Sequence, residues 1–400
     1  MVNKKKYTIA ISGFFGDDNV GDDLLQLAAI RGIQKTFKYH RIVVFTSNVE
    51  RNIRMFEREG LYNDVLDIVY SGRWGLREPD KRNLTAYSWI TRNLAELRQC
   101  DLHLIGPGNM IKDNTNPFVA AFWILRGYLS HLLKKPFALF AVGVADVNHF
   151  HSKFLIKKLL NKACFITTRD RTSLEKLRQL SVGVPHMYSF PDLTYTLIDE
   201  RRVGTHEKSG KIRKIGLNFA NFSRKFFPEY AIENYKYVVL EFLQRMTEDD
   251  SYELVFFPFS GVSHFNDNIM YDRIAAKLQE AGKHISKCTY MNIGDLKRQI
   301  AECDAFIGTR FHSVVFAVQA CVPTIAISYD WKAMNFLREA GFGDYAVQVD
   351  ELNIEKLLGA WNNLRRNYSG YLGCLRDLNK AYYFSSLKHF EVLKDHICTS

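Results

Sequence analysis

A chain of 400 residues, 47% hydrophobic and 24% charged, has a globular composition that excludes disorder and coiled coil. It is too long for one compact core, so two domains are expected. The net charge of +11 favours anionic partners, but no zinc-finger, RNA-recognition or helix-turn-helix pattern accompanies it, so no nucleic-acid partner is expected.

The start, MVNKKKYTIAISGFFGDD, is basic, yet its apolar run breaks at Gly-Phe-Phe-Gly. It reads as a first strand, not a signal peptide. The runs RIVVFTS, VLDIVY, DLHLIG, FALFAVGV, CFITTR and MYSF then alternate with helical patterns such as NVGDDLLQLAAIRGIQKTF and NPFVAAFWILRGYLSHLLKK. Strands alternating with helices predict a parallel sheet covered on both faces. The polar stretch RRVGTHEKSGKIRK, residues 201–214, reads as a linker. Alternation restarts with IGLNFA, YELVFFPFS, KCTYMN, AFIGT, PTIAIS and YAVQV, and the chain is helical from 353 onward. The expected fold class is α/β: two Rossmann-like doubly wound domains, 1–200 and 215–352, facing a cleft, with C-terminal helices over 353–400. No run reaches the roughly 20 apolar residues of a membrane span. Seven scattered cysteines without a CxxC read as buried thiols of a reducing compartment, so a cytoplasmic protein is expected.

In an open parallel sheet, ligands bind beyond the carboxyl ends of the strands. After the first strand, Gly13, Gly16 and Gly21 do not spell the dinucleotide fingerprint. Asn19 suits a helix cap, and Asp22 and Asp23 suit the first helical turn; the same acids could bind sugar hydroxyls. After the fourth strand, Gly106-Pro107-Gly108 form a turn with Asn109 exposed beyond it. Arg169 and Asp170 follow the sixth strand, with Thr172 or Ser173 available to cap the next helix, and Asp192 stands behind a proline after the seventh. Each of these reads either as a loop-pinning group or as a substrate ligand. His149 and His151 match no zinc spacing, and no cluster calls for a metal.

The segment AFIGTRFHSVVFAVQACVPTIAISYDWK, residues 305–332, is the most pointed. A β-α-β crossover brings two parallel strand ends to one edge. Thr309, Arg310 and His312 follow the first strand and Lys332 follows the second, beside a helix N-terminus that favours anions. Two cations and an imidazole suited to proton transfer make a site for a small phosphorylated acid.

The ordered motifs GFFGDDNVGDD, GPGNMIKD, TTRD, FPDL and IGTRFHSVVFAVQACVPTIAISYDWK resemble the polysaccharide pyruvyl transferase family, from about residue 8 to 348. The resemblance implies a glycosyltransferase-B-like pair of domains. It also implies transfer of pyruvate from phosphoenolpyruvate to a sugar, usually as a cyclic ketal, with phosphoenolpyruvate as substrate and no further cofactor. It assigns the donor to Arg310, His312, Lys332 and Arg169. The family's triple-glycine turn is here Gly106-Pro107-Gly108, and Asp23 stands where Glu is common; both fall on the acceptor side. Asn19, Asp22, Asp23, Asn109, Asp192 and Thr309 complete the expected substrate-binding set. The basic charge adds a saccharide acceptor carried on a lipid, and peripheral contact with the inner face of the membrane, as further expectations. Two other readings stay open: a nucleotide-sugar glycosyltransferase of the same fold, and a non-catalytic saccharide-binding relative.

Overall fold

The computed structural model describes residues 6–38, 40–70, 86–113, 119–199, 210–224, 227–248 and 252–398. The chain divides into two compact units. The first comprises Met1–Asp17, Asp22–Leu197 and Tyr382–Ser400, and the second Asp18–Gly21 and Ile198–Ala381.

In the first unit the chain runs β1 (Tyr7–Ser12), α1 (Val20–Thr36), β2 (His40–Thr46), α2 (Val49–Arg58), β3 (Leu66–Tyr70), α3 (Ala86–Gln99) and β4 (Leu102–Ile105). It continues through β5 (Gly108–Ile111), α4 (Val119–Leu132), β6 (Phe137–Val144), α5 (Phe150–Leu160), β7 (Ile166–Thr168), α6 (Arg171–Gln179) and β8 (Met187–Ser189). The strands form a parallel sheet ordered β3-β2-β1-β4-β6-β7-β8, with β5 also paired to β6.

The second unit holds β9 (Lys214–Asn218), α7 (Glu229–Met246), β10 (Glu253–Phe256), α8 (Asn268–Glu280), β11 (Ile285–Lys287), α9 (Ile293–Ala301) and β12 (Ala305–Gly308). Then come α10 (Phe311–Gln319), β13 (Thr324–Ser328), α11 (Trp331–Glu339), β14 (Ala346–Gln348), α12 (Ile354–Arg366) and α13 (Tyr368–Cys398). Its sheet is ordered β11-β10-β9-β12-β13-β14, again parallel.

Central strands β6, β12 and β13 are buried at every position. Continuous apolar runs of this kind are what a sheet covered on both faces requires. The strand order reverses between β1 and β4 in one sheet and between β9 and β12 in the other. These are the switch points at which open α/β sheets bind ligands.

Helix α13 contributes to both units. Its later half is fastened into the first by the buried His389, which bonds to Thr167 Oγ1 (2.9 Å) and the Pro191 carbonyl (3.1 Å). Gly32 lets α1 meet this helix closely, because a Cβ there would strike the Phe390 ring.

Several expectations are corrected. The strand read in KCTYMN ends on the first residue of that run, as β11 covers Ile285–Lys287; Asn292 instead caps α9 by accepting from Asp295 N. The turn read after β4 carries the short strand β5, and Asn109 is a half-buried residue of it, not an exposed one. Of the described cysteines, Cys374 is exposed, unlike the buried Cys100, Cys288, Cys303 and Cys321. Residues 201–209 of the expected linker lie outside the described residues, and Lys214 begins β9.

Two buried histidines make the first unit sensitive to acid. His103 lies between Ser12 Oγ (2.8 Å) and Ser130 Oγ (2.7 Å), and burial, with the nearby Arg126 charge, pushes its pKa from 6.5 down to about 3. Burial lowers that of His389 to about 4, against the opposing pull of the Pro191 carbonyl and Asp192. The unfolded chain binds protons at these sites first, so the stability they confer is complete above 6.5 and is lost as pH falls toward about 4 and then 3. Each tenfold difference in proton affinity between the folded and unfolded chain is worth ~1.4 kcal/mol. The melting temperature should therefore fall steadily between about pH 6.5 and 5, before most carboxylates titrate, and a flat profile there would contradict this assignment.

Candidate active site

Strands β9 and β12 end side by side at the switch point, with Asn218 opposite Gly308. Asn218 is fully buried and all its polar atoms are used. Its Oδ1 accepts from Arg310 N (3.0 Å) and Ser313 Oγ (2.9 Å), and its Nδ2 donates to the Phe257 carbonyl (2.9 Å) and Asp267 Oδ2 (3.1 Å). Asp267, also fully buried, accepts on the same Oδ2 from Phe259 N (3.0 Å) and Ser260 N (3.1 Å).

Its other oxygen holds Arg310, whose Nε and Nη2 donate to Oδ1 at 3.1 and 2.7 Å. Arg310 Nη2 also donates to the Phe265 carbonyl at 2.5 Å, and Tyr329, which follows β13, is a further side-chain partner. Burial alone would lower the Arg310 pKa, but Asp267 and Tyr329 outweigh it and raise the value, so the guanidinium stays charged. Thr309 is buried beside it. Its hydroxyl is bonded to the Tyr235 hydroxyl (3.2 Å), so it holds the turn from within.

Arg310 stands at the N-cap of α10, where no side chain caps the helix. Two residues on, His312 is half-buried with its ring edge-on to Phe311 (centroids 5.0 Å apart). Gly21 packs against it: a Cβ at Gly21 would collide with the imidazole Nδ1. That glycine is held within the second unit by antiparallel pairing, Val20 N to the Phe259 carbonyl (3.0 Å) and Gly261 N to the Asp18 carbonyl (3.0 Å). Asn19 accepts from Gly21 N (2.9 Å), the expected capping contact.

Gly308 of β12 is in register with Ala326 of β13, so the starts of α10 and α11 share one edge of the sheet. Asp330 caps α11 by accepting from Lys332 N (3.0 Å), and Lys332 Nζ lies 2.6 Å from Asp330 Oδ2 in the first turn. Each cation stands beside a carboxylate, Arg310 with Asp267 and Lys332 with Asp330, and the N–H groups of the two neighbouring helix starts are what favour an anion there. Such an edge can hold a small polyanion.

The first unit uses its expected residues differently. Arg169, 4% exposed, lies against Gly143 and approaches Asp170 Oδ2 (3.6 Å) and Asp192 Oδ2 (3.9 Å). Asp170 caps α6 by accepting from Ser173 N (2.6 Å), so the cap is neither Thr172 nor Ser173; Ser173 Oγ instead accepts from Val144 N (2.9 Å). Asp192 Oδ1 accepts from Thr194 N (3.0 Å) and Oγ1 (2.6 Å). Asp22 and Asp23 lie in the first turn of α1, and both oxygens of Asp23 hold Arg51 (2.7 Å each). Among the described residues, no group of three or more His, Cys, Asp or Glu forms a metal site.

The sequence singles out neither Asn218, Asp267 and Tyr329 nor the packing of Gly21 against His312. Their only signal is position: a polar residue closing the strand IGLNFA, an acid in the loop after YELVFFPFS, the first residue beyond PTIAIS, and a glycine heading a helix. Truncating Asp267 to alanine should cost about 3–5 kcal/mol in urea unfolding, because Arg310 is left buried without its counter-charge. Adding Arg310→Met should recover part of that loss; additive losses would deny the coupling.

This geometry can be set beside known proteins. The polysaccharide pyruvyl transferase family matches residues 19–330. The amylovoran biosynthesis protein AmsJ of Erwinia amylovora is 25% identical over 105 residues, 26% of this chain and 25% of that protein, so the match spans a quarter of the relative's length. In fold, the UDP-GlcNAc 2-epimerase of Neisseria meningitidis, solved with UDP-GlcNAc, is similar at TM-score 0.60 and 11% identity, covering 99% of this chain and 100% of that one. A glycosyltransferase from Rickettsia africae gives 0.60 and 11%, covering 98% and 99%. Identity this low carries the fold alone, the two-sheet α/β architecture of glycosyltransferase-B type. The match from Asn19 to Asp330 takes in the Arg310 and His312 helix start and the strand before Lys332, and on it the chain belongs to the polysaccharide pyruvyl transferase family.

Proposed function

We propose that this chain transfers the pyruvyl group of phosphoenolpyruvate to a sugar of a cell-surface polysaccharide or its precursor, as a cyclic ketal, and releases inorganic phosphate. The observation that carries this reading is the pair of cations at neighbouring helix starts, Arg310 at the head of α10 and Lys332 in the first turn of α11, with His312 on the same edge. Phosphoenolpyruvate is a small acid with a carboxylate and a phosphate, the ligand that such an edge favours.

On this reading the cations fix the donor and stabilise charge as it moves to the leaving phosphate. Protonation of the donor's methylene carbon makes a C–H bond and leaves C2 electrophilic. A sugar hydroxyl adds to C2 and gives up its proton. The C2–O bond to phosphate then breaks, its electron pair leaving with the phosphate. A second hydroxyl adds to the same carbon, loses its proton and closes the ketal. His312 serves as the acid or base for one of these transfers. Lys332, with three N–H donors, can hold Asp330 and a phosphate oxygen together. Arg169 keeps the donor-binding role that the family resemblance implies, and Asn19, Asp22, Asp23, Asn109 and Asp192 belong to acceptor binding or to its support.

The similarity to an amylovoran biosynthesis protein supports an exopolysaccharide as the acceptor class. Phosphoenolpyruvate as donor supports a cytoplasmic reaction. Among the described residues no helix is long and apolar enough to cross a membrane. The charge of +11 supports a lipid-linked acceptor and peripheral contact with an anionic membrane.

Phosphate release from phosphoenolpyruvate, measured with a panel of saccharide acceptors and mass spectrometry of the products, tests the reading. A product heavier by one pyruvate less one water is expected. Release of a nucleoside diphosphate from a sugar nucleotide would mark a glycosyltransferase instead, and donor binding without turnover a saccharide-binding relative. His312→Ala should lower kcat about 10²–10⁴-fold with little change in KM for the donor. Gly21→Ala, which displaces the imidazole without removing it, should likewise act on kcat; unchanged kcat in a folded Gly21→Ala protein would deny the contact a role.

A further inference from the structure

The outward sides of α4 and α5 carry large apolar side chains that the fold does not need. On α4, Leu125, Leu129 and Leu132 follow one another at four and three residues, the spacing of a single helical face, and are 49%, 36% and 62% exposed. On α5, Phe150 and Phe154 lie one turn apart and are 82% and 52% exposed. The helices pack side by side within the first unit. Their inner sides, including Trp123 and Ile124 of α4 and Ile156 and Leu160 of α5, already fill the core. The outer apolar side chains therefore contribute little to folding.

The two helices themselves carry charge of one sign. Neither α4 nor α5 contains an Asp or Glu. Lys153, Lys157 and Lys158 are exposed on α5, and Lys134 is exposed just beyond α4. The Lys158 ammonium lies 5.6 Å from the Phe154 ring, so cation and apolar group share one surface. The acids flanking these helices are already engaged: Asp113 is buried and accepts from Asn148 N and His149 N at the start of α5, and Asp146 pairs with Lys176 at 2.7 Å.

A second copy of this face would meet it with like charge, which opposes self-association. An anionic bilayer meets both features at once: aromatic and leucine side chains enter the acyl boundary while lysines reach the lipid phosphates. We infer that the α4–α5 face, centred on Phe150, Phe154 and the α5 lysines, is the surface that seats the protein on an anionic membrane. The inference rests on the peripheral association proposed above and names the residues that make it.

Co-sedimentation of the full chain with vesicles tests it, using phosphatidylglycerol–phosphatidylcholine mixtures against phosphatidylcholine alone. The wild-type protein should pellet with the anionic vesicles, less so at high salt. Phe150→Ser combined with Phe154→Ser, and separately Lys153→Glu with Lys157→Glu, should each weaken partitioning by about tenfold or more. Phosphate release with a soluble acceptor should be unchanged in these variants, which also shows that they fold. Wild-type protein that ignores anionic vesicles would overturn the peripheral reading and this inference together. Wild-type binding that survives both sets of substitutions would overturn only the choice of face. A dimer that forms with increasing concentration and is abolished by the same substitutions would assign the face to a second copy, and would overturn the membrane role.

Discussion

The carboxylate of Asp267, shut away from solvent, organises the edge of the second unit's sheet at the ends of β9 and β12. It joins three parts of the chain that do not meet in sequence: the end of β9 through Asn218, the loop after β10 through the amides of Phe259 and Ser260, and the start of α10 through Arg310. A buried carboxylate is tolerated only when its oxygens are fully engaged, and here five donor groups share two oxygens. The guanidinium is fixed by the same constraint. Arg310 is thus a guanidinium built into the sheet edge beside its counter-charge and not a free-swinging side chain.

A fixed guanidinium changes how the edge would treat a donor. Preorganised charge needs no reorganisation when a leaving group develops its own, which is where electrostatic stabilisation acts most strongly. His312 is constrained in a similar way, by Phe311 on one side and the Gly21 backbone on another. The first unit shows the opposite economy: Asp23 holds Arg51, and Asp192 is bonded to Thr194 and lies beside Arg169. Pairs of that kind set loop geometry around β1 and β7.

Much of this was legible in the amino-acid order. The β12–α10–β13 crossover could be read directly, because an apolar strand, a nine-residue apolar helix and a second apolar strand make a parallel crossover whose strands are often neighbours, and charged residues at both corners mark the carboxyl ends. Asn19 as the cap of α1 was legible for the same local reason. Asp267 was not, because its value comes from a partner 43 residues away in a loop with no periodicity. Gly21 reads as a residue of its own turn, whereas its missing side chain serves the imidazole of a residue far down the chain. Asn109 failed for a different reason: Gly-Pro-Gly signals a turn, and only the neighbouring strand β6 reveals that the residues after it pair.

The position of phosphoenolpyruvate in a crystal structure of its complex is the most direct measurement. The expected result has the donor's anionic groups at the head of α10, within hydrogen-bond reach of Lys332 and His312, with the Arg310–Asp267 pair intact. A donor bound away from that edge, with Lys332 still turned to Asp330, would contradict the assignment.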